Sequence, residues 1–313
     1  MCGIVGLHLR DPGLYPRLGE LLTGMLCEMS ERGADSAGVA VYGDPTWTPP
    51  GRVAVSFLTH PDHQDPATGG LASVVAAPDA ATILGTELGE PVAVNAAGPT
   101  LVAHVPAATG TQALRDAVRT CWPGALIAGF GEHVAVLKGV GHPQQLAQAY
   151  GLPGAQGWQG VGHTRMATES AVTPGGCHPY AVGPDQCLVH NGSFSNHATI
   201  RRDLRATGHA FDSANDTEVG ARFVADRLAA GYDVETALKE LTTTFDGFYT
   251  LLVSNADSFA VVRDAIACKP AVIAEHPRWV AMASEYRALV GLPGIEEARL
   301  YEPEPERIYA WTR

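Results

Sequence analysis

CGIVGLHL, residues 2–9, is the stretch on which the fold turns. Behind Cys2, GIVGLHL (3–9) is a run of small and branched apolar residues, read as a strand set directly at the start of the chain. The next segment, RLGELLTGMLCEMS (17–30), puts Leu18, Leu21, Leu22, Met25, Leu26 and Met29 at helical spacing. It predicts an amphipathic helix whose methionines pack in the core. ERGADSAG breaks that helix, and VAVY (39–42) resumes as a strand. Five prolines and several glycines mark 44–70 as loop. From 71 to 150 the elements shorten: a helix near 71–86, strands near 91–95 and 100–105, a helix near 111–121, strands near 125–128 and 133–137. This predicts an inserted α/β lobe within 51–155. Beyond 160, VGHTRMA, CLVHNG, GFYTLLVS, SFAVVRD, AVIAE and WVAMAS read as strands, with helices at 196–206 and 216–230 and a last strand in YEPEPERIYAWTR. Strands buried on both sides and flanked by helices predict a layered α+β sandwich.

Composition narrows the function. With 46 % hydrophobic and 17 % charged residues the 313-residue chain is globular. Its 21 basic against 33 acidic residues, net −12, argue against a nucleic-acid partner, whose phosphates demand clustered Lys and Arg. No Lys or Arg lies between Arg52 and Arg115. No run of about 18 apolar residues appears, and Arg10 and Asp11 interrupt the N-terminus too early for a signal peptide. A cytosolic location without membrane contact is expected.

The six cysteines (2, 27, 121, 177, 187, 268) form no CxxC pair, so neither a metal site nor a disulfide framework is expected. Cys2 stands apart. Once Met1 is removed, its thiol can attack an electrophile while its own α-amino group, with an ordinary pKa of about 8, accepts and returns the proton. Amide hydrolysis needs such a nucleophile and base together with an oxyanion site.

From Cys2 onward the chain reads CGIVG, RGADSAG (32–38), GHTRMAT (162–168), CHP (177–179), HNG (190–192) and NDTE (215–218). These motifs, in this order, resemble those of the class II glutamine amidotransferases, a branch of the N-terminal-nucleophile hydrolases. RDAIACKP (263–270) and ASEYRAL (283–289) resemble two further family segments. The likeness covers 2–43 and about 158–290. It implies a four-layer αββα sandwich over 2–313 and hydrolysis of glutamine to glutamate and ammonia through a Cys2 thioester.

Roles follow from the resemblance, each beside a plainer one. Arg165 would hold the α-carboxylate of glutamine by its planar fork, where the alternative is a structural ion pair. Asp216 would receive the α-ammonium, or else cap the helix that follows. Asn191 and Gly192 look like the oxyanion hole, or a tight Asn-Gly turn between strands. Thr168 and His178 resemble residues lining the glutamine site, and His178 and His190 are equally suited to structural hydrogen bonding. Arg32 and Asp35 would support the pocket. Met166 stands where the family has Trp, which softens one wall.

Ammonia needs an acceptor, and no GxxxxGK[ST] loop or synthase domain is apparent. The expected partner is therefore a separate synthase subunit. The resemblance extends to glutamate-synthase-like systems, N-methylglutamate synthase among them, in which FMN and iron–sulfur groups would sit on the partner and no cofactor on this chain. Two other readings compete: a free-standing N-terminal-cysteine amide hydrolase, and a catalytically silent regulatory or scaffold subunit.

Overall fold

The computed structural model describes residues 2–61, 75–166 and 172–313. The chain opens with β1 (Gly3–Leu9), α1 (Leu18–Glu28) and β2 (Ser36–Tyr42). There follow β3 (Arg52–Leu58), α2 (Ala77–Leu88), β4 (Ala93–Ala97), β5 (Thr100–Pro106), α3 (Gly110–Cys121) and β6 (Leu126–Gly131). Next come β7 (Val134–Val140), α4 (Pro143–Ala149), β8 (Gln159–Arg165) and β9 (Cys187–Phe194). Three helices, α5 (His197–Ala206), α6 (Asp216–Ala229) and α7 (Val234–Thr244), lead to β10 (Gly247–Ser254) and β11 (Ser258–Arg263). The chain closes with β12 (Val272–His276), β13 (Trp279–Ala283), β14 (Arg299–Tyr301) and β15 (Tyr309–Thr312).

Among the described residues the strands form three antiparallel sheets, ordered β14-β12-β13-β1-β8-β2-β7, β15-β11-β10-β9 and β4-β5-β3-β6. β1 is central in the first. Its Val5, Leu7 and Leu9 pack with Leu18, Leu22 and Met25 of α1, while Ile4, on the other face, packs with Val189, Leu252 and Phe259 of the second sheet. Burying each such side chain is worth roughly 1.5–3 kcal/mol. A Cβ on Gly6 would lie 2.4 Å from Leu252 and 2.7 Å from Phe259, so this strand needs a glycine where the two sheets meet. The outer face of the second sheet is covered by α5, α6 and α7, with Leu188, Leu251 and Val262 against Ile200, Val219 and Leu238.

The structure corrects several expectations. RVAVSFL, inside the stretch read as loop, is the buried strand β3: the prolines flank it, and its branched residues pair with β5 and β6. Helix α7 was missed; Val234, Ala237, Leu238 and Leu241 make its buried stripe, and Asp233 caps it by accepting from Thr236 N at 2.7 Å. Of the stretch 51–155, the described residues between 52 and 131 build the third sheet and its two helices around a core of their own. β7 pairs with β2 in the first sheet, and α4 packs beneath it. No helix among the described residues is long and apolar enough to cross a membrane.

Candidate active site

β1 delivers Cys2 to the end of the first sheet. Gly3 pairs with Thr164, so Cys2 comes level with the end of β8, where Arg165 is the last residue. A Cβ on Gly3 would stand 2.7 Å from Thr164 Oγ1 and 2.8 Å from Met29 Cβ, which explains a glycine directly after the cysteine. Two donors converge on the carbonyl oxygen of Cys2: Arg32 Nε at 2.9 Å and Asn191 Nδ2 at 3.3 Å. Arg32 is buried and also pairs with Glu285, Nη1 to Oε1 2.6 Å. That hydrogen bond, offset in part by burial, holds the Glu285 carboxyl below its usual range. Arg32 therefore grips the nucleophile's main chain and is itself held from the far end of the chain.

Arg165 is buried. Its backbone pairs with Ser36, and its carbonyl accepts from Asp35 N at 3.1 Å. Asp35 thus touches the site through its main chain. Gly33 packs so closely that a Cβ there would meet the Arg165 backbone at 2.5 Å. The guanidinium reaches the turn Pro174–Gly176, where a Cβ on Gly176 would lie 3.0 Å from Nη1. Met166, next along, is exposed. Thr168 lies outside the described residues.

Asn191 and Gly192 come from the second sheet. They do not form a turn: both lie within β9, opposite Thr250 and Tyr249 of β10. Gly192 has φ +145°, and a Cβ would fall 2.0 Å from Phe248 O, so only glycine fits. The helix-cap reading of Asp216 is also corrected. Asn215 caps α6, accepting from Thr217 N at 2.9 Å, while Asp216 is the first helical residue. Freed from capping, its partly exposed carboxylate accepts from Phe194 N at 2.8 Å, at a helix N-terminus that favours negative charge.

Behind these groups lies a buried cluster. His163 Nε2 bonds the carbonyl of His190 at 3.1 Å, and a carbonyl only accepts, so that nitrogen carries the proton. His163 stacks on His178 with centroids 4.1 Å apart. Thr217 Oγ1 lies 2.9 Å from both His178 Nε2 and His190 Nδ1, and donates to Asp216 Oδ1 at 3.4 Å. With its one proton given to the carboxylate, the hydroxyl accepts from both imidazoles. Burial pushes His163 down to about 3, His190 to about 4 and His178 well below its ordinary value, so all three are neutral. Their remaining nitrogens, His163 Nδ1, His178 Nδ1 and His190 Nε2, are buried with no partner among the described residues. No group of three His, Cys, Asp or Glu side chains there is placed to hold a metal ion.

The contacts therefore join Cys2, Arg32 and Asn191 in one set, and His178, His190 and Asp216 in another, with His163 of β8 linking the sheets beside Arg165. Sequence reasoning missed Thr217, His163 and Glu285. Each lies inside a quoted motif (NDTE, GHTR, ASEY), but nothing local marks it as a junction.

This fold and these motifs define a class: the chain belongs to the class II glutamine amidotransferases. A family model described as a glutamine amidotransferase domain matches residues 163–291. The glutamine amidotransferase-like protein GlxB of Rhizobium meliloti is 45 % identical over 313 residues, covering 99 % of this chain and 98 % of its own, so that likeness runs through 51–155 as well. Glutamine–fructose-6-phosphate aminotransferase of Thermus thermophilus is 36 % identical over 132 residues, 42 % of this chain and 22 % of that one. The glutamine phosphoribosylpyrophosphate amidotransferase of B. subtilis shares the fold, with TM-score 0.60 at 16 % identity; the match covers 99 % of this chain and 47 % of that one.

Proposed function

We propose that this protein hydrolyses glutamine to glutamate and ammonia and hands the ammonia to a separate synthase subunit. The observation that carries the reading is the convergence of Arg32 and Asn191 on Cys2, at the end of the sheet where β8 presents Arg165. Removal of Met1 frees the Cys2 amine, which takes the thiol proton as sulfur attacks the side-chain amide carbon. The oxyanion is held by Asn191 and Gly192, the C–N bond breaks, and the returned proton leaves with ammonia. Water then cleaves the thioester. Arg165 and Asp216 hold the two ends of the amino acid, and the family resemblance assigns Thr168 and His178 to glutamine binding. The helix, sheet, sheet, helix stacking of the three main cores fits the four-layer sandwich of N-terminal-nucleophile hydrolases.

The synthase is glutamate-synthase-like, with N-methylglutamate synthase as the particular system and FMN and iron–sulfur groups on the partner. The full-length likeness to GlxB, itself named glutamine amidotransferase-like, supports the amidotransferase half, and the motif resemblance supports the synthase. The test is ammonia release from glutamine by purified protein whose N-terminus has been weighed, with and without the candidate partner and a 2-oxo acid. Cys2→Ala should abolish release while the circular dichroism is unchanged. Turnover by that variant would sink the mechanism, and activity indifferent to every synthase would leave a free-standing amidase.

A further inference from the structure

Helix α3 carries Arg115 and Arg119 one turn apart, a spacing at which like charges share a face and repel. Both line a cavity of about 270 Å³. It lies between α3 and β6 on one side and the segment before α6 on the other, walled by Ile127, Phe130 and Val182. Three arginines face one carboxylate across it, in a chain of net charge −12.

The third arginine and the carboxylate are already committed. Arg222 Nη2 lies 2.7 Å from Glu218 Oε1 and 3.0 Å from Asp212 Oδ2. Arg115 has no such partner among the described residues. Its guanidinium lies 4.0 Å from the Phe130 ring centroid, Nη1 reaches only Gln112 Oε1 at 3.3 Å, and Nε is buried and unbonded. The neighbouring Asp116 takes its hydrogen bonds from Gln112 Nε2, at 2.9 Å. The exposed Arg119 side chain likewise makes no hydrogen bond or ion pair among the described residues. Burial first, and then Arg119, push the Arg115 guanidinium below its ordinary value. A buried polar hydrogen without an acceptor costs about 1–3 kcal/mol, and more when charged. An anion between the two forks relieves the repulsion.

We propose that this cavity binds a small organic carboxylate, its oxygens on Arg115 and Arg119 and its carbon skeleton against Ile127, Phe130 and Val182. Paired guanidinium forks suit a carboxylate's geometry, the apolar walls favour an organic anion over an inorganic one, and the volume falls below the roughly 300–1,000 Å³ of drug-sized sites. The occupant lies against Asp212, four residues ahead of Asp216. Glu218 fixes that segment by accepting from Asp212 N at 2.8 Å and Ser213 N at 2.7 Å, so the cavity abuts the head of α6. The site stands independently of the glutaminase reading.

Calorimetric titration of the full chain with succinate, neutral succinamide and inorganic phosphate tests the assignment. Saturable succinate binding with Kd of about 1 mM or tighter is expected, with succinamide silent and phosphate weaker. Arg119→Gln, on an exposed side chain, should leave thermal unfolding unchanged and weaken succinate by about 10-fold, and the Arg115→Gln/Arg119→Gln pair should abolish binding. No succinate binding, binding indifferent to Arg119→Gln, or phosphate binding as tightly as succinate would overturn the proposal.

Discussion

Replacing Thr217 by valine keeps the shape of the side chain and removes one oxygen. That oxygen accepts from His178 Nε2 and His190 Nδ1, both at 2.9 Å, in a wholly buried site. Valine leaves two imidazole N–H groups without acceptors, at about 1–3 kcal/mol each. The other nitrogen of each ring has no partner among the described residues either, so only local relaxation offsets this, and the net loss should be about 2–4 kcal/mol. At roughly 2 °C per kcal/mol for a chain above 200 residues, Tm should fall by about 4–8 °C. Serine restores the oxygen and gives up one methyl group, worth about 1 kcal/mol. Thermal unfolding should rank wild type above Thr217→Ser and Thr217→Ser above Thr217→Val. Nitrogen-15 spectra of wild type and Thr217→Ser should show His178 protonated at Nε2 and His190 at Nδ1. Because Thr217 also donates to Asp216, valine should raise KM for glutamine more than it lowers kcat. Valine and serine variants with the same Tm, or wild-type rings protonated at the opposite nitrogens, would refute the hub.

Other outcomes are equally specific. Arg165→Lys should chiefly raise KM, since a point charge replaces a planar fork, whereas Asn191→Ala should lower kcat by about 100-fold with little change in KM; steady-state kinetics exchanging the two signatures would reject both roles. Gly192→Ala combines φ +145° with a Cβ 2.0 Å from Phe248 O, so it should unfold at markedly lower urea than wild type; an unshifted midpoint would contradict the geometry. The three neutral histidines bind fewer protons folded than unfolded, so their stabilisation is complete above about pH 6.5. It is lost as pH falls toward about 4 for His190 and about 3 for His163, by up to about 1.4 kcal/mol per pH unit per group. Urea midpoints flat from pH 7 to 5 would show that these imidazoles are protonated in the folded state.

The sequence by itself determined the family and most elements. CGIVG, RGADSAG, GHTRMAT, HNG and NDTE are short strings read within a few residues, and α1 and β8 announce themselves by periodicities that repeat every two to four positions. Local composition misled where the environment overrode it. Prolines on either side hid β3, whose pairing with β5 and β6 depends on residues some 50 and 75 positions away. Asn-Gly reads as a turn, yet β10 holds it inside a strand. Asp216 and Asn215 are both good caps, and only the folded helix start chose Asn215. What tertiary structure alone decided is which distant groups meet: Arg32 with Glu285 across 253 residues, Asn191 with Cys2 across 189, two histidines on Thr217, and the arginines of α3 with Asp212 and Arg222 around one cavity. Such meetings are set by strand register and sheet packing, which depend on the whole chain's burial at once, and no window of neighbouring residues contains them.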